Sequence, residues 1–256
     1  MSKPPPMDGR APRPSTDPFY EAPPITEAAI EIKFKNSLDL SQLKKLSKKL
    51  AQNYPREVLQ FSRSAQVDLQ NRSVEFISEE PLLKRSMSDE ATIIMLKPES
   101  FVFSRLAPYP GWDKFFPELS SSLAILLKGT KRAVERIGIR YINRIDIPAN
   151  GELAAPKDYL NIYVHLPALI GSVSDYNVKF ESPYKEYTLI VHSGRLVVPT
   201  VVDTCAFYLD IDLIALEQLP QDFDGILDRL TEMRQVKNEV FESFVKPPAR
   251  DLFNHA

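Results

Sequence analysis

The stretch RIGIRYINRIDIP, Arg136 to Pro148, decides how the chain is read. A β-strand sends successive side chains to opposite faces. That places Ile137, Ile139, Tyr141, Asn143, Ile145 and Ile147 on one side and Arg136, Gly138, Arg140, Ile142, Arg144 and Asp146 on the other. The three arginines recur every fourth residue, about 13 Å apart at strand rise, so no single small anion touches all three. Two readings stand. An exposed row would meet an extended polyanion or an acidic protein surface, because the planar guanidinium suits carboxylate and phosphate. A structural row would pair with carboxylates on neighbouring strands. Asn143 lies on the apolar side, where a buried amide must find hydrogen bonds. It therefore reads as a structural amide or the mark of a bulge.

Upstream, MSKPPPMDGRAPRPSTDPFYEAPP is rich in proline and poor in aliphatics. It cannot bury enough apolar surface to offset chain entropy and reads as a flexible arm over residues 1–24, either a solvated tail or a partner-binding segment, with Phe19 and Tyr20 able to dock. Ala28, Ile30, Ile32 and Phe34 then alternate with Ala29, Glu31 and Lys33 as a strand. Asp39 with Gln42 predicts a capping box, and Leu43, Leu46 and Leu50 predict an amphipathic helix. Its outward lysines, Lys44, Lys45, Lys48 and Lys49, read as a solvated face before a nucleic-acid contact. Residues 60–79 predict a hairpin about Gln70-Asn71-Arg72, and Thr92–Leu96 with Phe101–Leu106 a second strand pair. Phe116, Leu119, Leu123, Leu126 and Leu127 have helical spacing, with Pro117 expected in the first turn, Gly129 at the C-terminal stop and Trp112 as a plug.

Downstream of Pro148, Tyr159–Leu166 is a short apolar stretch. Asn177–Phe180, Tyr187–His192 and Arg195–Val198 predict a meander that turns at Ser193-Gly194. Cys205–Ile214 predicts a strand with Phe207, Leu209, Ile211 and Leu213 inward and Tyr208, Asp210 and Asp212 outward. A last helix starts near Pro220, buries a stripe from Phe223 to Phe244 and ends at Pro247-Pro248. Both halves run from strands through an aromatic-Asp segment, PGWDKF or PQDFDG, into a long helix. The expectation is an α+β protein of two similar sheet-plus-helix halves, 25–150 and 151–256, packed as one unit behind the arm.

Composition excludes several functions. Lys and Arg number 32 against 34 Asp and Glu, so no global basic field invites nucleic acid. Cys205 is the one cysteine and the three histidines share no spacing, which leaves no Cys/His metal set and fits a reducing cytoplasm. No apolar run reaches about 18 residues, so no membrane span is expected. No P-loop, GxGxxG or GxSxG occurs, and no cofactor is expected. One pair has chemical spacing. Asp210 and Asp212, alternate residues on one strand face, would sit about 7 Å apart along the chain and could hold a divalent ion for phosphoryl transfer. Known nucleotidyl-transfer strands of this kind follow a Gly-Ser turn, for which only Ser193-Gly194 offers itself.

The segments APPITEAAIEIKF, IGIRYINRID, YLDIDL and VFESFVKPPARDLF, in that order, resemble an uncharacterised, sporadically distributed family of bacterial and archaeal proteins of about this length. The Pro-Pro after VFESFV departs from that pattern. The resemblance implies a prokaryotic protein without established activity, with a distribution like that of mobile or defence-associated genes. It singles out Arg140, Tyr141, Asn143, Arg144, Asp210 and Asp212 without giving them roles. The sequence-level reading is a non-catalytic binding or assembly protein whose candidate contacts are Arg136, Arg140, Tyr141, Asn143 and Arg144. A protein partner or self-association comes before nucleic acid, and a metal-dependent phosphotransferase or nuclease is the alternative.

Overall fold

The structure is a computed structural model that describes residues 20–68, 73–130, 132–149, 156–165, 167, 169, 175–196, 201 and 203–254, with the backbone alone at 62–68 and 73–79. In chain order the elements are β1 (Ile25–Phe34), α1 (Leu40–Leu50), β2 (Arg56–Asp68), β3 (Ser73–Ser86), β4 (Thr92–Leu96), β5 (Ser100–Leu106), α2 (Trp112–Thr130), β6 (Val134–Pro148), α3 (Pro156–Tyr159), β7 (Asn177–Tyr184), β8 (Tyr187–Arg195), β9 (Thr204–Ala215), α4 (Phe223–Phe244) and α5 (Pro247–Leu252). The arm, the Gln70-Asn71-Arg72 turn, Leu166 and Val198 fall outside the described residues, apart from the arm's last part.

The nine strands form a single sheet in the order β2-β3-β4-β5-β1-β6-β9-β8-β7, with every neighbouring pair antiparallel. This corrects the expectation of two sheet-plus-helix halves. β1 and β6, expected in separate sheets, pair from Ile25 opposite Asn143 to Phe34 opposite Val134. The physical reason lies in the edges. Two modest sheets would leave two apolar central strands with unpaired backbone edges, and joining β1 to β6 satisfies both at once.

All the central strands turn their apolar residues the same way. Ile30 lies between Phe103 and Ile139, and Ile139 lies beside Leu213, so one core runs across the sheet under the helices. α2 packs on β5, α4 lies over β6 and β9 and touches α2, and α1 packs on α2 and β3. Phe115 of α2 meets Phe103 edge-on at 5.4 Å. Burying a side chain of this size contributes about 1.5–3 kcal/mol. Trp112 caps this region as expected, stacked on Phe116 at 4.8 Å with the Arg234 guanidinium 5.2 Å from its ring.

Local signals fared unevenly. The Asp39–Gln42 capping box is present, and the four α1 lysines are exposed. Pro117 sits well inside α2, since the helix already begins at Trp112. Gly129 lies in the last turn and serves a different end: a Cβ there would come within 2.2 Å of Leu46 Cδ2, so the missing side chain lets α1 close on α2. Ser193-Gly194 is no turn. β8 runs straight through it, and the chain reverses at Lys185-Glu186, with Lys185 at φ 55°. Pro247-Pro248 end α4 and also begin α5. Tyr20 docks, as its aromatic character suggested: its hydroxyl donates to Glu242 Oε1 at 2.8 Å and its ring meets Phe253 edge-on at 5.2 Å.

Candidate functional site

Pairing register sets the face of the sheet that carries the arginines. Across β1, β6 and β9, Glu31 stands beside Gly138 and Ile214, Ala29 beside Arg140 and Asp212, and Glu27 beside Ile142 and Asp210. None of these points toward the helices, because each alternates with a core residue such as Ile30, Ile139 or Ile211.

The centre of this face is an ion-paired lattice. Arg140 donates from Nε to Asp210 Oδ1 at 2.9 Å and from Nη2 to Asp210 Oδ2 at 2.6 Å, a two-pronged pair. Asp210 is buried at 8% exposure, yet the Arg140 side chain remains 50% exposed. Arg136 donates to Glu31 at 2.8 Å and lies 4.0 Å from Asp212. Arg144 is held by Asp146 of its own strand at 2.8–3.2 Å. Lys33 bridges Glu99 and Glu135, each at 3.3 Å, and Glu27 accepts from Ser104 at 2.6 Å. The face is thus a mosaic of both signs: Arg136 and Arg140 pair with carboxylates on neighbouring strands, as the structural reading expected, whereas Arg144 pairs within its own strand.

Electrostatics single out one group. Burial pushes the Asp212 carboxyl up from 3.8 to about 6, against the opposing pull of Arg136 and Arg140, while Asp210 and Glu31 add to the rise. Arg140 is held above its ordinary value chiefly by its bonds to Asp210. Gly138 is buried among these side chains. A Cβ placed on Gly138 would have Arg136 Nη2, Asp212 Oδ1 and Glu31 Cβ as its nearest neighbours, all at 3.9 Å. A mid-strand glycine weakens a sheet and marks a place where something approaches closely.

The candidate residues are divided by the sheet. Tyr141 and Asn143 lie on the helix side. Tyr141 is 1% exposed, with its hydroxyl 3.1 Å from that of Tyr109 and Lys237 Nζ 3.8 Å above its ring, and burial pushes its phenol up to about 12. Asn143 donates from Nδ2 to the Leu209 carbonyl at 2.9 Å, and β1 carries a register shift between Ile25 and Glu27 opposite it. Both are supports for β6 and not members of the open face.

Other members of the face escaped the sequence reading. Glu27 and Glu31 carry a signal in the period-two pattern of β1, but their proximity to Arg136 and Ser104 depends on strand order. His192 joins Tyr208 and Asn177 at the flank: its Nε2 lies 2.8 Å from the Tyr208 hydroxyl and 2.7 Å from Asn177 Oδ1. Gly194 makes that cluster fit, since a Cβ there would be 2.9 Å from the Tyr208 hydroxyl and 2.6 Å from the Tyr176 carbonyl. Burial is the main reason the Tyr208 phenol is raised.

Both Asp210 oxygens are engaged by Arg140, the Ser193-Gly194 turn does not exist, and among the described residues no three His, Cys, Asp or Glu are grouped to hold a metal ion. No described helix is long and apolar enough to cross a membrane.

No family model and no curated protein matches this chain. Among solved structures it is similar to the S. pombe Pct1 RNA triphosphatase in complex with the Spt5 CTD, at 9% identity and a TM-score of 0.18, over 88% of this chain and 86% of that one. At that score the likeness carries no argument about fold or activity.

Proposed function

We propose that the chain is a binding protein that engages a protein partner through the face of its sheet turned away from the helices, with Arg140 as the principal contact. The observation that carries this reading is the Arg140–Asp210 pair. A buried carboxylate holds the guanidinium by two bonds while half of the arginine side chain stays in water. An arginine fixed in this way loses little conformational entropy when a partner arrives, and arginine is a frequent interface anchor. The mosaic of charges favours a protein surface of mixed sign over a nucleic acid, whose phosphates would meet Glu27, Glu31, Asp210 and Asp212 as well as the arginines.

Gly138→Val provides the test. The added side chain lies on the arginine face, where a Cβ has ordinary clearance from Arg136, Asp212 and Glu31. With a photo-crosslinking residue at Lys33, wild-type chain in its native host should give a discrete adduct with another protein. Gly138→Val should lose that adduct while its thermal melt stays with the wild type. An adduct indifferent to both Gly138→Val and Arg140→Lys, or no protein adduct at all, contradicts this function.

A further inference from the structure

The two ends of the sheet are built differently. At one end β7 is short, carries Lys179 and Pro183, and packs Phe180 against Phe244 of α4 at 6.4 Å. Lysine and proline on an edge strand are common devices against further pairing. At the other end β2 runs from Arg56 to Asp68 with neither lysine nor proline. Its outer edge has no neighbour among the described residues.

β2 also extends beyond the support of the sheet. It pairs with β3 along its whole length, but β3 pairs with β4 only from Leu83 to Ser86. From the Gln60–Leu82 pair outward the two strands form a ribbon about 26 Å long at ordinary strand rise. A two-stranded ribbon is marginal alone in water. Its root is apolar and open: Val58, Leu59 and Phe61 are 48%, 38% and 50% exposed. Leu59 pairs with Leu83, which is buried, so Leu59 and Phe61 continue the core face past the end of helical cover.

We infer that β2 is where two copies of this chain join, edge to edge and antiparallel about Gln60, so that the two sheets continue into one. The occupant is a second copy because the strand is complementary to itself about that residue. In EVLQFSR, residues 57–63, reversal about Gln60 sets Glu57 opposite Arg63 and Leu59 opposite Phe61, each twice across the two-fold axis. Glu57 is available for this. Its Oε2 receives Arg85 Nη2 at 2.7 Å and the Ser47 hydroxyl, while its Oε1 makes no hydrogen bond among the described residues. A two-fold contact uses both open edges and leaves the guarded β7 edges outermost, which closes the assembly as a dimer.

Sedimentation equilibrium of the full chain tests this directly. The wild type should run at twice its 29.1 kDa. Leu59→Lys with Phe61→Lys, both already solvent-exposed in one copy, should raise the dimer dissociation constant by at least about tenfold, which corresponds to about 1.4 kcal/mol. A second measurement guards against a folding defect in that variant. Gln60→Cys, facing its own copy across the axis, should form an intermolecular disulfide under mild oxidation, whereas Lys179→Cys on β7 should not; Cys205 is buried and serves as the internal control. A wild-type chain that sediments as a monomer, a dimer indifferent to the lysines, or cross-linking through Lys179→Cys in place of Gln60→Cys overturns the inference.

Discussion

Arg140 and Arg144 occupy the same face of the same strand, yet they should answer differently to removal. Without Arg140, the Asp210 carboxylate, 11% exposed, loses its partner. Loss of one member of a fully buried pair costs several kcal/mol, and the half-exposed guanidinium softens that, so Arg140→Ala should lose about 2 kcal/mol by urea unfolding. Arg144→Ala should lose less than about 1 kcal/mol, since Asp146 is partly open and both residues can return to water. Coincident unfolding curves for the two variants would contradict the pairing described. Asp212 supplies a prediction in pH. Its folded-state ionisation near 6 lies above the ordinary 3.8, so between those values the folded chain keeps a proton that the unfolded chain has released. Stability therefore falls as pH rises through that window, and the full deficit is present above it. Asp212→Asn should melt above the wild type at pH 8, with the gap shrinking toward pH 4. The alternation in RIGIRYINRIDIP made a pairing of its arginines with carboxylates on neighbouring strands legible, and Arg140 with Asp210 is such a pair. Arg144 was harder, because its partner is the acid two places along its own strand.

Among the elements, β6 and β8 each contain a glycine on the face turned away from the helices, and the two should behave in opposite ways. Gly138→Ala places a methyl group with 3.9 Å clearance in a strand that gains from a side chain, so stability should hold or rise by up to about 1 kcal/mol. Gly194→Ala drives a Cβ to 2.6 Å from the Tyr176 carbonyl oxygen and should lose at least about 1 kcal/mol. Denaturant midpoints of the two variants check both signs together. The same pair explains where sequence patterns mislead. Gly194 beside Ser193 has the composition of a turn, but its smallness serves the Tyr208 ring. The true reversal, Lys185-Glu186, contains none of the residues that favour turns and gave no signal. Pro117 likewise suggested a helix start, although hydrophobic contacts of Trp112 and Phe115 extend α2 a full turn before it. Strong alternation survived in β1, β6 and β9, because one buried face imposes it on every residue.

For the molecule as a whole, one core under one sheet implies one cooperative unit. Trp112 reports the α2 region by fluorescence, while far-ultraviolet circular dichroism sums every strand and helix. Their denaturation curves should superimpose; an earlier fluorescence transition would mean that the α2 side unfolds separately from the β7–β9 side. The sequence showed the strands and helices but not this unity, since edge-to-edge meeting of β1 and β6 is a long-range property that no local pattern encodes. That meeting bears on how the protein is made. As the chain leaves a ribosome, Ile30 emerges early, but its lateral partners Phe103 and Ile139 follow far later, and β6 itself must wait for Leu213 before its second edge is covered. Until then the most apolar strands of the finished protein are open to any passing strand, which makes the nascent chain a natural client for chaperones that shield hydrophobic segments during synthesis.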